Sequence, residues 1–362
     1  MKKKSYLYLF LLIGVVVLVP WQAPASRGVE NDRGSEARDT RPVKAKITRE
    51  CRKSIERGTA WLIAAQRRDG ALGADMNERP DLGCTAIGGL ALLSQGNTPS
   101  TGPHREPLKL MLDYVLGTVE RLSAEDDFER RYTLVRRKIG RNADLFLAGV
   151  FLSQTLGECP GYEDEVRAAL NKLVDLICRT QREDGAWGEE SWAPVLGTVL
   201  GWESLRASAS CGLKVDASAK KAGEHLFKGM QTKGGNPGDW MQNFYKNASS
   251  VRVLYSMNYR EDPVFKQCVD RILQIVKTDD RPFVQAGGEE YLAFFLVTEC
   301  LLQEREAGWQ SWYPTVRDKI MKQQNLDGSW TGHHCIKDRT FCTAAALLTL
   351  QAPNLCLPIS NL

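Results

Sequence analysis

The chain has 362 residues, 43% hydrophobic and 25% charged, which excludes a disordered or collagen-like polymer and allows one large domain or two smaller ones. Its formal charge is +4, and without Lys2, Lys3 and Lys4 the balance is +1. That near-neutrality excludes the basic footprint of a nucleic-acid-binding protein.

Residues 1–25 carry a basic "MKKK", a short apolar run "SYLYLFLLIGVVVLVP" and the small-residue pair Ala23 and Ala25. This is the pattern of a secretory signal cleaved after Ala25. The apolar run is shorter than the ~20 residues of a spanning helix, although an uncleaved anchor with peripheral membrane contact is the competing reading. The sequence thus predicts export to a periplasm, cell envelope or extracellular space. Residues 26–46, "SRGVENDRGSEARDTRPVKAK", are polar and read as a flexible linker. The remaining 47–362 read as one domain.

Within that domain two kinds of segment alternate. Amphipathic runs are predicted near 50–67, 107–122, 163–181, 216–231, 263–277 and 312–324; in the third, Val166, Leu170, Leu173, Val174 and Ile177 share one face. Between them lie runs that are apolar on most sides, beginning at Cys84, Ala143, Pro194, Ala248, Tyr291 and Phe341, at intervals of 59, 51, 54, 43 and 50 residues. A helix apolar all round is a buried helix. No run alternates with the period of a strand. Six helix pairs form either an open solenoid or a closed double ring. An open stack needs polar caps, and the last run, "FCTAAALLTLQ", is as apolar as the middle ones. The pattern therefore predicts an all-α, (α/α)6 toroid, with the apolar helices inside and the amphipathic ones outside.

Three turns between the two kinds of helix repeat. Gln66–Gly70–Leu72, Gln181–Gly185–Trp187 and Gln324–Gly328–Trp330 share one spacing, within "AAQRRDGALG", "CRTQREDGAWG" and "MKQQNLDGSWTG". These turns resemble the QW motif of the squalene–hopene and oxidosqualene cyclases, a family of toroids that extends to the protein prenyltransferase β subunits and the complement thioester domains. The resemblance implies a toroid, with Gln66, Gly70, Gln181, Gly185, Trp187, Gln324, Gly328 and Trp330 as structural joints. Gly suits a turn after a helix and an aromatic ring pins the next one.

The family's chemistry is harder to place. Where the resemblance to cyclases implies a "DxDDTA" acid, the chain reads "DLGCTA", with Asp81 retained but Gly83 and Cys84 in the other acidic positions. A thiol is no strong acid, so polyene cyclisation is not expected, and the remaining acid candidates are Asp81 and Asp338. "GCTAI" lacks the residues of a thioester "GCGEQ". Prenyltransferase resemblance implies a zinc site of Asp, Cys and His on the rim, and the expected donors are Asp81, Cys84, His333, His334 and Cys335. Simpler readings stand beside it: Asp81 and Asp338 as helix caps, His333 and His334 as exposed loop residues, and a Cys335–Cys342 disulfide. Sugar-acting toroids use acids near the cavity, for which Asp144, Glu203, Glu289, Glu290 and Glu299 lie in or beside inner segments. The expectation that follows is a protein that binds an apolar, isoprenoid-like molecule or a partner protein in its central cavity; the alternative is a lipid-acting or zinc-dependent enzyme working on the Asp81/Cys84/His333 rim.

Overall fold

The alternation of amphipathic and apolar runs becomes an alternation of helices. The computed structural model describes residues 47–73, 80–123, 133–187, 194–231, 240–304, 307–354 and 357, all within the compact unit Glu36–Leu362. The predicted signal (1–25) and linker (26–46) lie outside the described residues. Among the described residues the helices are, in chain order, α1 (Arg49–Ala64), α2 (Leu82–Leu93), α3 (Arg105–Arg121), α4 (Leu134–Ile139), α5 (Ala143–Thr155), α6 (Glu163–Arg179), α7 (Pro194–Ser210), α8 (Asp216–Gln231), α9 (Trp240–Ser256), α10 (Pro263–Thr278), α11 (Arg281–Val284), α12 (Gly288–Glu304), α13 (Ala307–Lys322) and α14 (Arg339–Gln351).

Six of these form an inner ring. Helix α2 packs on α5, α5 on α7, α7 on α9, α9 on α12, α12 on α14, and α14 returns to α2. The last contact closes the ring, so the apolar final helix is buried against the first pair. Every residue of α2 is buried, and so are Thr340–Gln351 of α14. The amphipathic helices lie outside, each with one face on an inner neighbour: α1 on α14, α3 on α2, α6 on α5, α8 on α7, α10 on α9 and α13 on α12. In α6 the predicted face, Val166, Leu170, Leu173, Val174 and Ile177, is the buried one. Each such side chain contributes about 1.5–3 kcal/mol on burial.

The three repeated turns are the joints of the outer ring. Gln66 Nε2 donates to Gly70 O at 3.1 Å and to Pro107 O of α3 at 2.9 Å. Gln181 Nε2 does the same to Gly185 O and Ser218 O of α8, both at 2.9 Å. Gln324 Nε2 reaches Gly328 O at 2.8 Å and Ser54 O of α1 at 2.9 Å, joining the last outer helix to the first. Trp187 and Trp330 each donate their indole N–H at 2.8 Å to the preceding helix, at Ile177 O and Ile320 O. Glycine is required at the turn for two reasons. Gly185 sits at φ +92°, and a Cβ there would lie 2.2 Å from Lys221 O.

Two departures from the sequence pattern matter. Helix α9 begins at Trp240, eight residues before the apolar run expected at Ala248, because its first turns mix polar and aromatic residues, "WMQNFYKN". Helix α13 begins at Ala307 and runs through Pro314, whereas the amphipathic pattern is evident only from about 312.

Candidate metal centre

The starts of the inner helices gather at one end of the ring. Asp81 caps α2, its Oδ1 accepting from Gly83 N at 2.6 Å and Cys84 N at 3.2 Å, with Val135 N of α4 3.4 Å from Oδ2. Asp338 caps α14, accepting from Phe341 N at 2.9 Å and from the Thr340 hydroxyl. The Cys84 thiol stands 3.9 Å from Asp338 Oδ1, linking the two helix starts. Burial, and then the neighbouring Asp144, push the Asp81 carboxyl up to about 7. Burial also pushes the Cys84 and Cys342 thiols well up. Cys335 and Cys342 are both free thiols, which corrects the disulfide reading.

The start of α12 is different. Gly287 and Gly288 let the loop before α14 settle directly onto it. Gly288 N donates to Ile336 O at 3.0 Å, and His333 N donates to Ala286 O at 2.7 Å. A Cβ on Gly287 would lie 2.6 Å from His334 O and 2.8 Å from Glu289 Oε2, so a side chain there would push the loop away.

That contact assembles Glu289, His334 and Cys335. Their donor atoms all lie within 4.8 Å of one another, and among the described residues they form the one such set of three. Glu289 is 1% exposed; its Oε2 accepts from Ile336 N at 3.3 Å, whereas Oε1 is buried with no hydrogen-bond partner. Both ring nitrogens of His334 are likewise shielded from solvent without a hydrogen bond, although Nε2 lies 3.3 Å from Glu290 Oε2. That separation is an ion-pair contact whose alignment is not that of a hydrogen bond. The Glu290 contact raises the His334 pKa above its ordinary value. Burial, then Glu290, push the Glu289 carboxyl up to about 7. Burial and Glu289 push the Cys335 thiol up to about 11. Unmet atoms of a carboxylate and an imidazole thus converge with a thiol on one point, and an unmet buried polar group costs about 1–3 kcal/mol.

The sequence points to five donors for such a centre. The structure brings His334 and Cys335 together and supplies Glu289, which the sequence offered only as an acid beside an inner helix. Asp81 and Cys84 stand with Asp338 on the α2 side of α14, outside the three-donor set. His333 is exposed and joins through its backbone alone. The physical reason is closure. Helix α14 has two inner neighbours, and the loop before it leans on α12 rather than α2. A thiol, an imidazole and a carboxylate are a fitting set for zinc or a related transition metal, with a fourth position left for water or substrate.

Among the described residues the inner helices line a cavity of about 30 Å³, walled by apolar side chains such as Ile87, Leu147, Leu200 and Phe295, with Glu203, Arg252 and Glu299 at the side and Leu357 beside them. Such a volume holds about one water molecule. Arg252 binds Glu203 through Nε and Nη2, at 2.8 and 2.6 Å, and approaches Glu299 at 3.4 Å. Glu203 and Glu299 are therefore engaged in a buried ion network. Desolvation works to raise the Glu203 carboxyl, but the Arg252 guanidinium and then Arg206 hold it below its ordinary range.

Comparison with known proteins bears on the fold. The type II terpene cyclase MstE from Scytonema, as an apo variant with one tyrosine changed to phenylalanine, matches with a TM-score of 0.52 at 16% identity, over 85% of this chain and 98% of that one. The α-1,6-mannanase GH76A of Salegentibacter sp. HEL1_6, as an inactive variant with bound α-1,6-mannotriose, matches with a TM-score of 0.57 at 9% identity, over 84% of this chain and 99% of that one. The chain has a terpenoid-cyclase-like α/α toroid fold. One fold thus serves a cyclase and a mannanase, and it does not by itself choose a chemistry. No family model and no curated protein matches the sequence.

Proposed function

We propose that this protein is a metal-dependent enzyme whose centre lies on the rim of the toroid, at Glu289, His334 and Cys335. The observation that carries the reading is the convergence of Glu289, His334 and Cys335 within 4.8 Å, with Glu289 Oε1 and both His334 ring nitrogens buried and unmet. A thiol held at about 11 is neutral at pH 7, and a divalent cation would displace its proton. When bound, zinc supplies Lewis-acid polarisation of an oxygen or sulfur ligand at the open position. The chain's own residues hold the donors, exclude water from their buried faces, and keep Tyr245 and Glu290 beside them.

The donor set stands at the start of an inner helix and the loop before the last one, which favours a substrate presented at the rim. The signal-like N-terminus adds an exported location to this reading, and Asp81 and Asp338 serve it as helix caps.

Metal analysis of the purified protein is the test. The wild-type chain should carry one zinc equivalent, His334→Ala and Cys335→Ser should lose it, and His333→Ala should keep it. A wild-type chain that takes up no zinc at micromolar concentration would overturn the proposal.

A further inference from the structure

Glu290 is adjacent to a proposed ligand and fully buried, yet it belongs to no set of metal donors among the described residues. Three elements hold it. Its Oε1 accepts a hydrogen bond from the Tyr245 hydroxyl of α9. Its Oε2 accepts from Gly287 N at 2.6 Å. The same Oε2 lies 3.3 Å from His334 Nε2. Tyr245 is itself 8% exposed, and burial, then the carboxylate beside it, push its phenol pKa up, so the phenol remains a donor.

Both ring nitrogens of His334 are buried without an aligned hydrogen bond, but their surroundings differ: Nε2 lies 3.3 Å from the Glu290 carboxylate, a distance at which a small ring rotation would align its N–H with Oε2. Gly287 makes the arrangement reachable, since a Cβ there would stand 3.2 Å from His334 Cε1. An imidazole that gives its N–H to a carboxylate is fixed in tautomer and orientation, and its other nitrogen becomes the better donor.

We propose that Glu290, braced by Tyr245 and Gly287, is the positioning residue of the centre, keeping the proton on His334 Nε2 and presenting Nδ1 to the metal. This rests on the metal-centre reading and adds to it which atom binds and which residues set it. Tyr245 and Glu290 need not touch substrate; they act through His334. Loss of such a partner commonly weakens metal binding by about 10–100-fold.

The experiment has two arms on the full-length chain. Zinc affinity is measured by competition with a chromophoric chelator for wild type, Glu290→Gln and Tyr245→Phe, with thermal melting of the apo-proteins beside it. Glu290→Gln should bind zinc about 10–100-fold more weakly and Tyr245→Phe by a smaller factor, with apo-protein melting retained. The second arm needs no variant: nitrogen-15 spectra of the zinc-loaded wild type, labelled at its 4 histidines, should show His334 metallated at Nδ1 and protonated at Nε2. Metallation at Nε2, or folded variants with wild-type affinity, would overturn the assignment while leaving the centre standing. A wild-type chain without zinc would remove the centre itself, and the assignment with it.

Discussion

Replacing Asp81 by Asn separates a helix cap from a metal ligand and carries a signed prediction about pH. Asp81 is buried, and its carboxyl is raised from 3.8 to about 7 by desolvation first and Asp144 second. Between roughly pH 4 and pH 7 the folded chain therefore binds more protons at this site than the unfolded chain. Its contribution to stability is complete below the unfolded pKa and is lost as pH rises through the folded one. A shift of about 3 units, at about 1.4 kcal/mol each, gives a loss of about 4 kcal/mol as an upper bound. Asparagine keeps a carbonyl oxygen for Gly83 N and Cys84 N and is an equally good cap. It cannot also accept from Val135 N, which costs about 1 kcal/mol. Asp81→Asn should thus be about 1 kcal/mol less stable than wild type near pH 4 and up to about 3 kcal/mol more stable near pH 8. Urea unfolding across that range measures the difference, and the parallel shift from Glu289 cancels because both proteins keep it. A variant equally destabilised at both ends would refute the argument. At pH 7 and above the variant should hold zinc as wild type does; a loss there, with wild type loaded, would return Asp81 to the ligand set.

Other expectations follow from particular contacts. Gly185→Ala should cost about 3 kcal/mol or more in thermal or urea unfolding, because the new Cβ meets Lys221 O. Gly161→Ala has a similar φ of +89° but open space around it, so the same measurement should show only about 1–2 kcal/mol. Arg252→Met removes the guanidinium nearest Glu203 and Glu299, leaving Arg206 at 3.6 Å from Glu203, and should lower stability by about 2–4 kcal/mol at pH 7. Changing all three members to apolar residues of similar volume should recover most of that loss. Gln324→Ala removes the bonds to both Ser54 O and Gly328 O and should cost about 1–3 kcal/mol, whereas Leu326→Ala, at a fully exposed side chain, should be near neutral.

The toroid was legible because two independent signals agree. Periodicity separated one-sided helices such as α6 from all-round apolar ones such as α2, and the absence of a polar terminal cap argued for closure. Both depend on burial, which composition records directly. Short or mixed elements were not legible. Helix α4 has six residues, too few for a period, and the first turns of α9 carry no apolar stripe. Tyr245 was missed for that reason: it lies in the part of α9 that precedes the apolar run.

The metal donors were half legible for a deeper reason. The resemblance to the prenyltransferase rim site pointed to His334 and Cys335, together with His333, in the loop before α14. Their third member had to come from an inner neighbour, and ring closure gives α14 two of them. Spacing along the chain cannot say which way the loop leans. The structure shows both choices in use: Asp338, at the base of the loop, meets Cys84 of α2, while His334 and Cys335, higher in the loop, meet Glu289 of α12. The deciding residue is Gly287, whose lack of a side chain leaves the space that the His334 backbone and ring occupy. The partner was therefore chosen by an absent Cβ, a steric fact that no ligand-spacing rule contains. Gly287→Ala should for this reason release zinc as fully as loss of a ligand does, without touching any donor atom, and metal analysis of that variant would show whether the cradle or the donors alone make the site.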